Sequence, residues 1–231
     1  MTVPYVDLPS QHRGLRAGLV AALERVIDHG QLILGPEVAL LEERLRERLG
    51  VPQVVTVAIG TDALVLALRL RGVGPGDEVI TVSHSFVATA AAIRLVGATP
   101  VFVDVDEETM LLDPGLLEDA LSFRTRAVLP VHLNGFVCDL PAIARFCERH
   151  GLALVEDCAQ AIGARAGGRS VGSTGIGAFS LHPLKVLSAL GDGGFLTVSS
   201  PDDAARLRRL RNIGLRDRDH CEEVSGNSRL D

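Results

Sequence analysis

Apolar and polar positions follow two different periods along the chain, and the change of period separates a helical beginning from a sheet. Residues 11–29 carry apolar side chains at helical spacing and are followed by Gly30, which predicts one amphipathic helix. A second helix is predicted from Pro36 to just before Gly50, because proline is favoured in a first helical turn and glycine beyond a last one. We expect these first two helices to pack outside the main sheet.

From residue 54 onward, short β-rich runs alternate with helical stretches. The predicted strands are VVTVA at 54–58, EVITV at 78–82, PVFVDV at 100–105, AVLPVHL at 127–133, LALVED at 152–157, a run around 178–181 and FLTV at 195–198. Helices are predicted from Thr61, after Phe86 and around 140–150. Apolar strands that alternate with helices indicate an α/β fold, with a mostly parallel sheet and helices on both faces. Ligands of such sheets bind beyond the carboxyl ends of the strands.

The composition excludes several classes of protein. The 231 residues include 29 acidic and 23 basic ones, and a net charge of -6 argues against nucleic-acid binding through a basic field. The arginine run at 206–211 is interpreted as one solvated helix face. No apolar stretch approaches the ~20 residues of a membrane span, and there is no apolar leader. Since Cys138, Cys147, Cys158 and Cys221 form no C-x-x-C pair, we expect free thiols and a soluble, cytoplasmic protein that binds no membrane.

The basic residues comprise 22 arginines and a single lysine, Lys185. A coding bias towards arginine explains the absence of lysine elsewhere, but it does not explain the one lysine that remains. Arginine holds its proton too tightly to become a free amine, so a position that needs a nucleophilic amine requires lysine. Lys185 follows the predicted strand around 178–181 and is therefore a candidate for covalent chemistry.

Two other strand ends carry groups that suit a flat, phosphorylated ligand. Gly60, Thr61 and Asp62 open a helix after the first strand, where unpaired backbone N–H groups bind phosphate; they also suit an ordinary helix cap. The segment lacks the spacings of a Walker loop or a dinucleotide fingerprint. Phe86 follows the second strand, where its ring could stack on a planar ligand or belong to the core.

A buried carboxylate completes this set. The strand LALVED ends in Glu156 and Asp157, at a place where burial controls the charge state, although a helix N-cap is the alternative. The histidines and cysteines show no metal-ligand spacing, so no metal site is predicted. A phosphate cradle, an aromatic ring, a carboxylate and a lysine amine together suit pyridoxal 5'-phosphate (PLP), which has a phosphate, a flat ring, a ring nitrogen and an aldehyde.

Eight segments of the chain occur in the order found in one known family. They are VDLPSQHRGLR, LILGPEV, GTDALVLAL, PGDEVITVSHSFVATA, VEDCAQAIGA, SLHPLK, GDGG and NSRLD. Through them the chain resembles the DegT/DnrJ/StrS family of PLP-dependent sugar aminotransferases, from Pro4 to Asp231. The resemblance implies the large domain of a type I PLP-dependent transferase, similar to that of aspartate aminotransferase.

The resemblance also implies roles for residues around the cofactor ring. Lys185 matches the lysine that bonds to the cofactor aldehyde and then transfers protons. Asp157 matches the carboxylate beside the ring nitrogen, Gln160 the amide facing the ring hydroxyl, and Phe86 the stacking aromatic. An aspartate about 4 Å from a pyridinium contributes about 4 kcal/mol at an effective dielectric of 20, which keeps the ring protonated.

Other residues match the phosphate site of the family. Gly60, Thr61 and Asp62 correspond to the cradle, Asp62 mainly through its backbone, and Ser180 adds a hydroxyl. Asn227 resembles a residue that reaches the phosphate of the neighbouring subunit. The resemblance therefore implies a homodimer.

The implied reaction transfers an amino group from an amino acid, glutamate or glutamine by resemblance, to a keto-sugar, usually nucleotide-linked, or to a ketocyclitol. Two alternatives remain open. A PLP-dependent sugar dehydratase is similar, but that branch has histidine in place of the lysine, so Lys185 counts against it. A non-catalytic PLP-fold partner or regulatory protein is the other.

The chain departs from the family pattern at a few positions. Val186 stands where asparagine is usual, Cys158 where a smaller residue is common, and Val82 where proline is frequent. Family members also continue beyond NSRLD. We therefore expect residues 1–231 to be an N-terminal segment plus the PLP-binding large domain, without the C-terminal small domain.

Overall fold

The computed structural model describes residues 3–231 and shows a three-layer α/β architecture in them. The helices are α1 (Leu8–Arg13), α2 (Arg16–His29), α3 (Pro36–Leu49), α4 (Gly60–Leu70), α5 (Ala88–Leu95), α6 (Leu117–Ala120), α7 (Leu140–His150) and α8 (Pro201–Leu210). The strands are β1 (Gln53–Val57), β2 (Glu78–Val82), β3 (Thr99–Val103), β4 (Thr125–Val128), β5 (Ala153–Asp157), β6 (Arg165–Ala166), β7 (Arg169–Ser170), β8 (Ile176–Ser180) and β9 (Gly194–Val198).

Seven strands form the main sheet in the order β1-β9-β8-β5-β4-β2-β3, and β6 and β7 form a separate hairpin. The pairs from β8 through β5, β4 and β2 to β3 are all parallel. Strand β9 runs antiparallel to both of its neighbours, β1 and β8. The predicted mostly parallel sheet is confirmed. Because β9 begins at the edge where β1 and β8 end, Gly194 lies opposite Val57 and Ser180.

Side chains of the strands alternate between two buried layers, as the pleat of a β-strand requires. On one face, Val55 and Val57 of β1 belong to the larger core with helices α4 and α8. On the other face, Val54 packs in a second core with Leu45 and Leu49 of α3. Helix α3 therefore lies outside the main sheet and forms part of the layer that covers one of its faces. Helix α2 contains no buried residue and does lie outside the cores.

The predicted helix at 11–29 is two helices in the structure. Asp7 accepts a hydrogen bond from the backbone N–H of Ser10, which starts α1 earlier than the apolar pattern indicated. Helix α1 ends at Arg13, and a turn at Gly14 separates it from α2. Glycine weakens a helix because of its backbone freedom, and the apolar spacing alone did not register this interruption.

The arginine run at 206–211 does not form a simple solvated face, which corrects the interpretation from the sequence. Arg208 donates to the carbonyl of Val54, and Arg211 donates to that of Thr56. Both guanidinium groups also contact Glu42 of α3, and Arg211 is buried. These contacts satisfy carbonyl groups along the free edge of β1, so the arginines cover an edge that would otherwise be open to another strand.

Candidate active site

The amino end of α4 and the end of β8 form one compact corner of the sheet. A Cβ atom added to Gly60 would lie 2.6 Å from the Cβ of Ser180, and one added to Gly194 would lie 2.8 Å from the Gly60 nitrogen. Glycine is therefore needed at both positions for the backbone segments to approach this closely. The residue before the helix, Ile59, makes no side-chain cap, so the first N–H groups of α4 are left for an anion. The Ser180 hydroxyl lies beside them.

The NSRLD segment borders this corner from the same chain. The backbone N–H of Ala58 donates to the carbonyl of Ser228 over 2.8 Å, and the N–H of Ser228 donates to the carbonyl of Arg211. Burial raises the pKa of Asp62, although a hydrogen bond from Ser228 opposes that rise. Asn227, one residue earlier, is exposed. Its role across a dimer stays a prediction.

Asp157 is the last residue of β5 and is buried at the carboxyl edge of the sheet. Its Oδ2 accepts a hydrogen bond of 2.8 Å from Thr89 Oγ1, and its Oδ1 accepts one of 3.1 Å from the N–H of Ala159. Burial raises the pKa of this carboxyl, while these two bonds and the positive charge of Lys185 oppose the rise. Since the element that follows β5 directly is the strand β6 and not a helix, the N-cap alternative for this position is wrong.

Glu156 points away from Asp157 into a fully buried polar cluster. It accepts hydrogen bonds from the N–H groups of Gly172, Thr174 and Gly175, and from Nε2 of His132. Burial would raise its pKa, but the bonds from His132 and from the backbone lower it below the ordinary value. Glu156 therefore attaches the loop at 172–175 to the segment that follows β4.

This cluster is structural in character. His132, Glu156 and Cys158 offer ligand atoms within 4.8 Å of one another, an arrangement that could suggest a metal. However, Nδ1 of His132 accepts from the N–H of Cys138, and Nε2 bonds to Glu156. Both carboxylate oxygens of Glu156 already accept two bonds each. The lone pairs that a metal would need are thus in use.

Gln160 lies just beyond Asp157 and has a defined orientation. Its Oε1 accepts a hydrogen bond of 2.9 Å from the N–H of Asn134. Asn134 has φ +54°, a left-handed conformation that asparagine tolerates better than most residues. Because the amide oxygen is engaged, the amide nitrogen of Gln160 remains as a donor, which suits the predicted contact with a ring hydroxyl.

Phe86 and Lys185 lie on loops that follow β2 and β8. The Phe86 side chain is 69% exposed, so the core alternative for this residue is wrong. Lys185 is partly buried in a turn, where its backbone N–H donates to the carbonyl of His182. Two surface clefts, of about 630 and 480 Å³, lie elsewhere around Phe146 and His150 and contain none of the predicted cofactor residues.

Comparison with known proteins decides the family. The model of the DegT/DnrJ/EryC1/StrS aminotransferase family matches residues 15–231. The chain belongs to this family. The resemblance inferred from the eight sequence segments is thereby confirmed.

Individual relatives within the DegT/DnrJ/EryC1/StrS family are similar over nearly the whole chain. The dTDP-3-amino-3,4,6-trideoxy-alpha-D-glucose transaminase of Streptomyces venezuelae is 46% identical, over 99% of this chain and 61% of its own length. The UDP-N-acetyl-3-dehydro-alpha-D-glucosamine 3-aminotransferase of Acidithiobacillus ferrooxidans is 44% identical, over 99% of this chain and 62% of its own length. The chain therefore spans about three-fifths of the length of these relatives.

A similar solved structure confirms the predicted fold of a PLP-dependent aminotransferase. NtdA of Bacillus subtilis, with its bound cofactor PMP, matches with a TM-score of 0.94 and 27% identity, over 99% of this chain and 53% of that chain. No helix among the described residues is long and apolar enough to cross a membrane. The division into a large domain and a missing small domain stays a prediction.

Sequence reasoning did not find Thr89 or His132 in this family member. Thr89 is 68 residues from Asp157, and His132 is 24 residues from Glu156, so their contacts have no local signature. Only their positions pointed to them: Thr89 comes shortly after the strand predicted at 78–82, and His132 lies in the last part of the strand predicted at 127–133. The structure brings Asp157, Thr89 and Lys185 to one edge, with Gly60 and Ser180 grouped nearby.

Proposed function

We propose that this member of the DegT/DnrJ/EryC1/StrS family is a PLP-dependent aminotransferase that acts on a nucleotide-linked keto-sugar. The observation that carries the proposal is the arrangement at the carboxyl edge, where a buried carboxylate lies within the electrostatic reach of the single lysine. The names of the two relatives, a dTDP-sugar and a UDP-sugar aminotransferase, support the substrate class. Glutamate or glutamine is the proposed amino donor.

The residues present fit the proposed cofactor. The uncapped start of α4 offers N–H groups at Gly60, Thr61 and Asp62, and the Ser180 hydroxyl lies beside them, which suits a phosphate. Phe86 presents an exposed ring that can cover one face of a planar group. PLP supplies an aldehyde for the lysine and a ring that accepts negative charge from the reacting carbon.

Asp157 and Lys185 have the main chemical roles in this proposal. The Asp157 carboxylate holds a proton on the ring nitrogen, because a buried anion stabilises a nearby positive charge. Lys185 provides the amine that binds the aldehyde and, once released, moves a proton between substrate and cofactor. Gln160 donates its free amide N–H to the ring hydroxyl.

Borohydride reduction of the purified chain with PLP, followed by peptide mass mapping, tests this site. Lys185 is the only lysine, so a phosphopyridoxyl adduct on its peptide is easily distinguished from an adduct on the amino terminus. Lys185→Arg is the matched control, because it keeps the positive charge but provides no free amine. An unmodified Lys185 in the wild-type chain would overturn the proposal for residues 1–231. Amination of nucleotide-linked keto-sugars, assayed with glutamate and glutamine, then tests the reaction.

We further propose that the protein acts in the cytoplasm as a homodimer in which Asn227 of one subunit reaches the phosphate of the other. The exposure of Asn227 supports this role. Mixing Lys185→Ala with Asn227→Ala chains tests it, since the mixed dimer has one site with both residues intact. Recovery of tight PLP binding in the mixture supports the shared site. The proposal is refuted if binding does not recover and light scattering shows that the protein is a monomer.

A further inference from the structure

A chain of two hydroxyl groups leads to the carboxylate of Asp157. The hydroxyl of Thr89 contacts Asp157 Oδ2 at 2.8 Å, and the hydroxyl of Ser85 contacts Thr89 Oγ1 at 2.7 Å. An ionised carboxylate can only accept, so the proton of Thr89 is directed to Asp157. Ser85 must then donate to Thr89. The direction of both hydrogen bonds follows from the charge of Asp157.

Thr89 holds this position through its place in the fold. Its side chain is buried, and it lies in the first turn of α5, where its backbone N–H donates to the carbonyl of Phe86. One residue thus connects the loop that presents Phe86 to the strand that ends in Asp157. With the N–H of Ala159 on Oδ1, the hydroxyl of Thr89 restrains the rotation of the carboxylate.

We propose that Thr89 is a positioning residue, which holds the Asp157 carboxylate in the orientation that faces the cofactor ring, with Ser85 fixing the direction of its hydroxyl. The inference rests on the proposed function for the identity of the group that Asp157 faces. The hydroxyl itself, and its contact with the carboxylate, do not depend on that function.

The charge of Asp157 responds to several groups besides Thr89. Lys185 acts on it as a positive charge and His132 lies next to it, each from a neighbouring segment, and Glu156 and Cys158 flank it on its own segment. Variants at Thr89 leave all four in place. A change in the titration of Asp157 on substitution of Thr89 therefore reports the lost hydroxyl contact.

The first test uses the cofactor-free protein. Carboxyl-carbon NMR of Asp157 is followed against pH in wild type, Thr89→Val and Thr89→Ser. Because the hydroxyl of Thr89 stabilises the ionised carboxylate, the protonation constant of Asp157 should rise about tenfold or more in Thr89→Val. Thr89→Ser retains the hydroxyl and should stay within about twofold of wild type. Equal protonation constants in all three proteins would overturn the proposal.

The second test adds PLP and measures its Kd and the pH midpoint of its absorbance. In Thr89→Val we expect Asp157 to stabilise the protonated ring nitrogen of PLP less well. A ring that is less positive withdraws fewer electrons from the nitrogen that links it to Lys185, so this linking nitrogen stays protonated up to a higher pH. We expect a weaker Kd by about tenfold and a midpoint raised by about one unit, with both restored in Thr89→Ser. If wild type binds no PLP while the NMR shift is found, the proposed function fails and the positioning contact stands.

If Thr89→Val does not fold, Ser85→Ala provides the test instead. Ser85 is only half-buried, so its replacement should leave the fold intact. Removing the first hydroxyl should raise the protonation constant of Asp157 by about two- to fivefold, in the same direction. No change in a folded Ser85→Ala protein would show that the hydroxyl chain does not act on Asp157. Urea unfolding of each variant verifies that the fold is retained.

Discussion

The buried Glu156 cluster supports a quantitative stability prediction that requires no cofactor. Each oxygen of Glu156 accepts two hydrogen bonds: Oε1 from the N–H groups of Thr174 and Gly175, and Oε2 from Gly172 and His132. Glu156→Gln keeps the shape but replaces one oxygen with an NH₂ group. That group faces two donors, so two hydrogen bonds are lost and buried donors are left unpaired.

The expected cost follows from those lost bonds. A hydrogen bond to a charged group contributes about 1.5–3 kcal/mol, so the loss of two such bonds costs about 3 kcal/mol or more. His132 cannot compensate by changing its tautomer, because its Nδ1 already accepts from the N–H of Cys138. We therefore expect Glu156→Gln to lower the free energy of unfolding by about 3–5 kcal/mol at pH 7.

Equilibrium unfolding in urea measures this change, as a lower midpoint with an unchanged m-value. Glu107→Gln is the matched control, since Glu107 is exposed and should change stability by less than about 0.5 kcal/mol. A Glu156→Gln protein within about 1 kcal/mol of wild type would refute the assignment of Glu156 as a charged acceptor of four bonds.

The pH dependence provides an independent check on the same residue. The folded-state pKa of Glu156 lies below its ordinary value of 4.5, so the native state stabilises the ionised form. That contribution is fully present above pH 4.5 and is lost as pH falls through the folded-state pKa. The stability difference between wild type and Glu156→Gln should therefore be complete at pH 7 and shrink below pH 4.5; a constant difference down to acid pH would contradict this reasoning.

Three further outcomes are expected. Glu42→Gln should lower the free energy of unfolding in urea by about 3–5 kcal/mol, because it leaves the buried Arg211 without its anion. The control Glu43→Gln breaks a surface pair and should lower it by less than about 1 kcal/mol. Equal losses in the two variants would contradict the burial argument. Gly177→Ala should destabilise by about 1–3 kcal/mol in the same assay, because its Cβ would lie 2.5 Å from a backbone carbon of the neighbouring loop; an unchanged midpoint would exclude that crowding. Ellman's reagent should modify Cys221 quickly in the native protein and the three buried thiols, whose pKa values are raised by burial, only after unfolding; rapid modification of all four would refute this.

Local patterns in the sequence determined the strands of the main sheet, the fold class and the residues that follow each strand. Strand and helix periods are set by neighbouring residues, so EVITV predicted β2 with the bounds that the structure shows, Glu78–Val82. Composition alone made Lys185 a candidate for chemistry, because it is the single lysine of the chain. The family resemblance arose from eight short segments and was confirmed by the comparisons.

Contacts between distant parts of the chain were decided by the tertiary structure alone. Thr89 meets Asp157 across 68 residues, Arg211 meets Glu42 across 169, and β9 runs against its neighbours. Such contacts depend on strand order, strand direction and register, which no local period encodes. Sequence therefore placed the candidate residues at the carboxyl edge, while the packing of the sheet decided which hydroxyl, amide and guanidinium groups hold them there.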